Sequence, residues 1–412
     1  MSRTELNTTG SSFDLFNVPD DYYDNPYPYY KDLRDNDPIH LNSDGSVLVT
    51  RYEDVKAVWR DLTGVVNREK MYSEKFGAGA LLEHHTKSML FRDPPDHDRL
   101  RDVVNPFFTQ SAIGRLKVTV EDIVSTLLDE LDGKKEIDFV RDFASLIPIK
   151  LICDILGVPR EHGPKIRDMG AKVLVPLNPA VSAEAIQAGH EGTKAFMDFL
   201  RPYVKEWQSR PAEETPSNII SGMVKAQKAG DPITDDEIIH MCILVLNGGH
   251  ETTTNLLGLS TLALLKHRDQ FEKLVTDPSL VSTGVEECLR YGTPLQLQGR
   301  RTTRELTIPG GTIPGGTIPP DTEVIIAQVS ANRDERIFKD PDQFDLERRP
   351  NPHLAFGAGI HVCLGRPLAR LEVGVTLPLL ARRFPKMELV GEPTFARNIR
   401  FRGIQKMNIR LS

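Results

Sequence analysis

Apolar residues recur at helical spacing over most of 95–290, where polar breaks such as DGKKE and SRPAEETP separate amphipathic segments. Strand patterns are shorter. Residues 38–55 predict two strands around an Asp-Gly turn, and the segments LTIPGG and TEVIIAQV carry further strand character. The distribution of the two patterns therefore predicts a fold that is mainly α with a smaller β part.

The chain shows no change of composition that would mark a linker between domains. We therefore predict one domain over 21–412, preceded by a flexible N-terminal tail over 1–20. This tail is polar and lacks the apolar core of a signal peptide. A tandem repeat over 307–320, TIPGGTIPGGTIPP, is too short to build a solenoid and predicts a lengthened turn between two strands.

The longest helical pattern spans 234–267. Thr234 and Glu237 have the spacing of a capping box, in which each side chain bonds the backbone N–H of the other residue. Residues 238–246 are almost wholly apolar, which indicates a helix that is buried on most sides. Such a helix would be about 50 Å long and would cross a whole domain.

The centre of this helix, NGGHETTT over 247–254, breaks the apolar pattern. Adjacent glycines cost a helix about 1 kcal/mol each relative to alanine, and buried polar side chains cost more unless they are paired. One interpretation is close helix packing at the glycines, with the threonine hydroxyls bonded to the backbone. The other is that the glycines admit a flat ligand, beside which Glu251 and Thr252 form a proton-delivery pair.

A cysteine stands in a glycine-rich loop towards the end of the chain, in HLAFGAGIHVCLGRPLAR over 353–370. Cys363 follows His361 by two residues and precedes a predicted helix. From this pattern alone the thiol could be a metal ligand, a nucleophile, a redox group or none of these. Cys153 and Cys242 lie in apolar helical runs and are predicted to be buried. No C-x-x-C pair supports a zinc or iron–sulfur site.

Two pairs of charged residues share predicted helix faces. His97 and Arg101 are four residues apart, and they could bind a dianionic group such as two carboxylates or could lie on a solvated face. Glu287 and Arg290 are three residues apart in apolar surroundings, where a buried ion pair needs a further hydrogen-bonding partner. Arg348 is a candidate for that partner.

The net charge of −7 argues against nucleic acid as a partner. No stretch of the sequence approaches the roughly 20 apolar residues that a membrane span needs. We therefore expect no membrane insertion and a cytoplasmic location.

Taken in order along the chain, these motifs resemble those of the cytochrome P-450 monooxygenases, specifically of the soluble bacterial type. The most specific is the haem-binding loop of the family, Phe-x-x-Gly-x-x-x-Cys-x-Gly, which matches Phe356, Gly359, Cys363 and Gly365. The resemblance covers nearly the whole chain. Its segments are NPYPYYKDLR (25–34), DPPDHDRLR (93–101), GGHETT (248–253), EECLR (286–290) and the stretch over 331–365.

This resemblance implies a cytochrome P-450 fold in which a long central helix lies over a haem b group. It also implies that the thiolate of Cys363 is the ligand of the haem iron. The positions that pair with the haem propionates in the family are matched by His97, Arg101, Arg300 and His361. Arg301 is adjacent to Arg300, and a shift of one residue in strand register would exchange their faces. A structural ion-pair triad of the family is matched by Glu287, Arg290 and Arg348.

The implied activity is the insertion of one atom of O2 into a small, mostly apolar organic substrate of the terpenoid, aromatic, fatty-acid or steroid class. Glu251 and Thr252 match the acid–alcohol pair that delivers protons in the family. By analogy, the substrate pocket includes Asn247, Gly248, Leu295 and Leu297. The amide of Asn247 either binds an oxygen of the substrate or serves a helix kink or an ordered water.

Electrons from NAD(P)H would have to reach the haem through a separate ferredoxin and ferredoxin reductase, because the chain has neither an iron–sulfur motif nor the length for a reductase domain. Arg366 and Arg370 could meet an acidic partner, or could carry ordinary helix-end charge. We expect a monomer that acts on a small molecule. Alternative functions on the same fold are a peroxide-driven haem-thiolate enzyme, an isomerase, and a non-catalytic haem-thiolate sensor or carrier.

Overall fold

The computed structural model describes residues 13–60, 64–66, 69–178, 181–211, 213–215, 217–309 and 317–412. Helices make up most of these residues and strands a smaller share, which confirms the predicted fold class. Residues 310–316 fall outside the described ranges, and with them half of the tandem repeat over 307–320 that predicts a lengthened turn.

The α-helices of the described part are, in chain order, α1 (Tyr27–Asn36), α2 (Tyr52–Arg60), α3 (Glu69–Phe76), α4 (Ala80–Lys87), α5 (Asp96–Val104), α6 (Gln110–Gly114), α7 (Lys117–Glu130), α8 (Leu146–Leu156), α9 (Gly163–Leu174), α10 (Ala183–Ser209), α11 (Ile219–Lys228), α12 (Asp235–Lys266), α13 (Arg268–Thr276), α14 (Val281–Tyr291), α15 (Gln328–Ala331) and α16 (Arg366–Arg383). The strands are β1 (Ile39–Leu41), β2 (Val47–Val49), β3 (Gly64–Val65), β4 (Glu136–Asp138), β5 (Leu297–Thr302), β6 (Leu306–Thr307), β7 (Thr317–Ile318), β8 (Glu323–Ala327), β9 (Glu388–Phe395) and β10 (Ile404–Arg410).

The chain forms two compact units. The first takes the described residues within 1–66, 255–363 and 385–410, and the second takes those within 67–254, 364–384 and 411–412. Helix α12 belongs to the second unit as far as Thr254 and to the first from Asn255. A single domain over 21–412 stays a prediction.

The first unit contains a mixed five-stranded sheet in the order β1-β2-β8-β5-β3. Strands β1 and β2 are antiparallel around the Asp44-Gly45 turn, as the sequence predicts, and β2 pairs with β8 in parallel register. Strand β8 continues antiparallel to β5. Helix α2 covers this sheet, because its buried Val55 and Trp59 pack with Val324 and Ile326 of β8.

The N-terminal segment of the described chain also packs in the first unit. Leu15 is buried in a cluster with Tyr22, Tyr30 and Leu33, and its backbone N–H donates to the side chain of Asn42 at 3.2 Å. The prediction of a flexible tail over 1–20 is therefore wrong for residues 13–20, because Leu15, an apolar residue within this polar segment, is buried in a cluster. Residues 1–12 lie outside the described ranges.

The second unit is built on helices. Helix α10 packs against α4, α9 and α11, and it buries Phe196, Leu200 and Val204 at the i, i+4, i+8 spacing of one helix face. Helix α16 packs against α7. Most of α12 belongs to this unit as well, and its capping box is formed as predicted. The backbone N–H of Glu237 donates to the Thr234 hydroxyl at 3.2 Å, and that of Thr234 donates to the Glu237 carboxylate at 2.9 Å.

Three charged residues form a buried network in the first unit. The guanidinium of Arg290 donates twice to the carboxylate of Glu287, at 2.7 Å each, and both side chains are 0% exposed. Arg348 donates to the same carboxylate at 3.1 Å. The remaining N–H groups of Arg290 donate to the carbonyls of Asn332, Pro341 and Gln343. The structure thus brings Arg348 to the pair for which the sequence suggests it.

We expect removal of the Glu287 carboxylate to destabilise the protein strongly, because it leaves the charge of Arg290 buried and unpaired. Glu287→Ala should lower the free energy of unfolding by about 3–5 kcal/mol, as measured by denaturant titration. The control is Asp198→Ala, which removes an exposed i,i+4 pair with Lys194 on α10 and should cost less than about 1 kcal/mol. Equal losses in the two variants would contradict a special structural role for the network.

Candidate active site

The loop before Cys363 holds its thiol at the surface of the first unit. Gly359 has φ of 76°, and a Cβ there would lie 2.4 Å from the backbone oxygen of Trp59, so only glycine fits. The N–H of Cys363 donates to the carbonyl of Phe356 at 2.9 Å, which closes the loop. Cys363 is exposed, whereas the other three cysteines, Cys153, Cys242 and Cys288, are buried. Cys363 is therefore the cysteine whose sulfur can meet a ligand.

Two neighbouring arginines on strand β5, in the first unit, lie on opposite faces of the strand. Arg301 is 33% exposed at its side chain and donates to Asp321 at 2.7 Å. Arg300 pairs in register with Val324 of β8 and is buried, with one guanidinium N–H donating to the carbonyl of Gly299. The register thus places Arg300 on the inner face and Arg301 on the outer one. Among the pocket residues expected in this unit, Leu297 is buried at the start of β5 and Leu295 is half-buried just before it.

The centre of α12, in the second unit, faces open space at Gly248. Gly248 is exposed, and a Cβ at Gly248 would meet no atom within 4 Å, although residues 238–246 around the preceding turns are nearly all buried. Thr252 donates its hydroxyl proton to the carbonyl of Gly248 one turn earlier. Burial raises the pKa of Glu251 to about 7, so the carboxyl can both carry and release a proton near neutral pH.

Asn247 lies beside this opening and is 8% exposed. Within the described residues its amide nitrogen has no hydrogen-bond partner. Its carbonyl oxygen would be 2.5 Å from a Cβ at Gly170 in α9, so a side chain at that position would collide with the amide. Asn247 is thus held in a tight site with a buried donor still to satisfy.

His97 and Arg101 lie on the same helix, α5, in the second unit. His97 is 1% exposed, and its Nδ1 atom lies 2.8 Å from the carboxylate of Asp98. Arg101 is half-buried. A solvated face, the alternative interpretation of these two residues, is therefore wrong for His97.

The family model described as Cytochrome P450 matches residues 38–395 of the chain. The protein belongs to the cytochrome P450 family. A Bacillus subtilis (strain 168) cytochrome P450 is 35% identical over 378 residues, which is 90% of each chain. A 6-deoxyerythronolide B hydroxylase from Saccharopolyspora erythraea is 32% identical and is matched over 95% of this chain and 97% of its own.

A solved structure, P450BioI in complex with a hexadec-9Z-enoic acid ligated acyl carrier protein, superposes with a TM-score of 0.88. It is 32% identical, and the match covers 96% of this chain and 100% of that one. The predicted P450 fold and the bacterial character of the relatives are thereby confirmed. As a P450, the protein is a monooxygenase that binds haem, uses O2 and takes electrons from redox partners.

In each unit taken by itself, the residues present fit a haem group. In the first unit an exposed thiol stands on a closed loop, and a thiolate is a soft ligand that suits haem iron. The inward face of β5 presents the guanidinium of Arg300, a permanent cation of the kind that pairs with a carboxylate. In the second unit the open centre of α12 at Gly248 can admit a flat group.

The sequence does not reveal two residues that shape these sites. Trp59 lies about 300 positions from Gly359 in the chain, and its carbonyl makes glycine obligatory there. Gly170 leaves the room that the amide of Asn247 occupies, because a Cβ at Gly170 would collide with it. Neither has a local signal, because each acts through a contact that is formed only in the folded chain. None of the described helices is long and apolar enough to cross a membrane.

We expect the carboxyl of Glu251 to make the stability of the haem protein depend on pH. Burial raises its pKa from 4.5 to about 7, so the folded state binds the proton more tightly than the unfolded state. The stability that this proton contributes is fully present below about pH 4.5 and is lost as the pH rises through about 7.

Thermal melts of the wild type and of Glu251→Gln should therefore diverge as the pH rises through this window, with the wild type losing stability relative to the variant. Glu130→Gln on α7 is the control, because Glu130 is exposed. Parallel melting curves for the wild type and Glu251→Gln across the window would refute the raised pKa of Glu251.

Proposed function

We propose that this P450 takes electrons from a separate ferredoxin and ferredoxin reductase and inserts one O2 atom into a small, mostly apolar substrate. The observation that carries the proposal is the pairing of two features in one chain: an exposed Cys363 on its closed loop, and an open helix centre that bears Glu251 and Thr252. A haem-thiolate carrier or sensor needs the first feature but not the second.

Each proposed site residue has a distinct part. The thiolate of Cys363 holds the haem iron, and the haem, when bound, supplies the chemistry that activates O2. His97, Arg101, Arg300 and His361 pair with its propionates. Arg300 is suited to this by its inward position on β5 and His97 by its burial.

Glu251 and Thr252 manage protons in the proposal. A carboxyl with a pKa of about 7 is half protonated near neutral pH, so it can pass protons inward and be recharged from solvent. The hydroxyl of Thr252 donates its proton to the carbonyl of Gly248, so the lone pairs of its oxygen can accept a hydrogen bond from a ligand or a water. The pair can thus hold and deliver protons at the open centre of α12.

The proposal of an electron-transfer partner depends on the positive charge of Arg366 near Cys363. Arg366 is exposed at the first position of α16, three residues after Cys363. A cation at a helix N-terminus is unfavourable for the helix itself, which supports a role towards an acidic partner such as a ferredoxin. A cytoplasmic location and a monomeric state are further predictions for this protein.

The substrate is proposed to be mostly apolar with a few polar points. Leu295 and Leu297 in the first unit supply apolar surface, whereas Gly248 and Asn247 in the second supply open space and an amide. The relatives act on, or are bound with, large hydrophobic molecules such as 6-deoxyerythronolide B and a carrier-bound hexadecenoic chain. Terpenoid, aromatic, fatty-acid and steroid compounds therefore form the first screen, with macrolide and acyl-chain compounds added to it.

The test is reconstituted turnover. Purified haem protein is mixed with a bacterial ferredoxin, its reductase and NADPH, and compounds that change the spin state of the ferric haem are used as substrates. We expect NADPH consumption that depends on the compound and a product that carries one oxygen atom from labelled O2. Product formation with hydrogen peroxide alone at an equal rate would favour the peroxide-driven enzyme, and binding without any product would favour the carrier.

We expect Thr252→Ala to uncouple NADPH consumption from product formation, because the hydroxyl is needed where protons are delivered. The ratio of product to NADPH consumed should fall severalfold, while Thr252→Ser, which keeps the hydroxyl, should preserve most of it. Thr253→Ala serves as the control for a neighbouring buried threonine. An unchanged ratio in Thr252→Ala would remove Thr252 from the mechanism.

A further inference from the structure

His353 opens the segment that leads to Cys363, and both of its ring nitrogens take part in hydrogen bonds within the first unit. Its side chain is only 4% exposed. The Nε2 atom lies 2.9 Å from a carboxylate oxygen of Glu286 on α14, and the backbone N–H of Ala355 donates to Nδ1 at 3.3 Å. The ring is thus fixed from two sides.

These two bonds determine which ring nitrogen carries the proton. Nδ1 accepts the N–H of Ala355, so it presents a lone pair and no hydrogen. The proton of the neutral imidazole is therefore on Nε2, from which it is donated to Glu286. The carboxylate of Glu286 thereby sets both the tautomer and the orientation of the ring, and a bond to a carboxylate is stronger than one between neutral groups.

The bonded ring acts on the part of the loop that binds Cys363. Ala355 is followed by Phe356, whose ring centroid lies 6.1 Å from that of His353. The carbonyl of Phe356 accepts the backbone N–H of Cys363 at 2.9 Å. A continuous chain of contacts thus runs from Glu286 through His353 and Phe356 to the residue that carries the sulfur.

Helix α14 holds the same segment at two further points. Its Glu287 accepts from the side-chain amide of Asn351 at 3.2 Å. Its Arg290 donates to the carbonyl of Asn332 at 2.9 Å, and the side-chain oxygen of Asn332 accepts the backbone N–H of Leu354 at 2.6 Å. One helix therefore supports the whole approach to the haem loop.

An ordinary surface ion pair does not explain the contact between Glu286 and His353. Such a pair joins two exposed side chains and contributes little to stability, whereas the ring of His353 is nearly buried. An apolar side chain would fill the space of the ring without burying two polar nitrogens. What the imidazole adds is direction, because it binds the helix on one side and the backbone of the loop on the other.

We propose that Glu286 and His353 are positioning residues for the sulfur of Cys363, and that they hold its loop so that the thiolate stays on the haem iron. The inference rests on the proposed function in one respect, namely that Cys363 is the iron ligand. The thiolate and not the thiol binds a metal, and a free cysteine with its ordinary pKa of about 8.5 is mostly protonated at neutral pH. A loop that lets the sulfur leave the iron therefore loses the thiolate to a proton.

The first experiment follows the carbon monoxide complex of the reduced haem protein during slow heating, while far-UV circular dichroism monitors the fold. We expect His353→Leu to lose the red-shifted thiolate band several degrees below its own unfolding transition. At a fixed temperature where both proteins are folded, the half-life of the band should be about fivefold shorter than in the wild type, because two hydrogen bonds that fix the loop are lost.

His40→Leu is the matched control. His40 is also a nearly buried histidine of the first unit, and its Nδ1 atom lies 2.7 Å from the carboxylate of Asp37, but this pair lies within 37–40 and not on the haem loop. The control variant should lose stability and yet keep the thiolate band until it unfolds. Loss of the band only in step with unfolding in both variants would overturn the inference.

Conservative substitutions separate the hydrogen bonds from the charge. Glu286→Gln keeps an acceptor oxygen for Nε2 and should retain most of the wild-type half-life, and His353→Gln keeps one donor and one acceptor and should restore part of the loss. Glu286→Ala should shorten the half-life as His353→Leu does. It also provides the test if His353→Leu does not fold, because Glu286 is 29% exposed. A wild-type half-life in Glu286→Ala would contradict the positioning role.

The same measurements distinguish this inference from the proposed function. A stable thiolate band in the wild type and a labile one in His353→Leu, without any product under reconstituted turnover, would refute the monooxygenase proposal alone. Normal turnover of the wild type, with His353→Leu behaving as His40→Leu does, would refute the positioning role alone. A wild type without the thiolate band would refute both.

Discussion

The rest of this structure depends on the exposure of one sulfur atom, that of Cys363, to a ligand. A thiolate that is to bind iron must be exposed on one side and supported on the other. The chain meets this requirement with a loop whose Gly359 packs against the carbonyl of Trp59 and whose end is closed by the bond from Cys363 to Phe356. The other cysteines are buried, where the raised pKa of each thiol keeps it protonated and unreactive.

The centre of α12 carries residues that lower the stability of the helix. An apolar helix would be more stable than one that places Asn247, Gly248, Glu251 and Thr252 at its middle. Burial raises the pKa of Glu251 to about 7, which is unfavourable for a charged carboxylate and useful for a proton carrier. By contrast, the buried charges of Glu287 and Arg290 are paired with each other.

Much of the fold follows from the sequence, because its signals are local. The capping box at Thr234 and the Asp44-Gly45 turn each depend on residues a few positions apart, and the structure forms both. The haem loop could be recognised for the same reason, since its motif spans ten residues. The packing of Leu15 could not be foreseen, because the partners that bury it lie in later segments of the chain. The inward position of Arg300 depends on the register in which β5 pairs with β8, and the sequence of one strand alone does not specify that register.

The central claim is that the sulfur of Cys363 binds the haem iron, and the carbon monoxide difference spectrum of the reduced protein tests it most directly. The account predicts the red-shifted band that gives the family its name, its loss in Cys363→Ser, and its retention in the control Cys153→Ala. A band at the position typical of histidine-ligated haem in the wild type, or an unchanged band in Cys363→Ser, would contradict it.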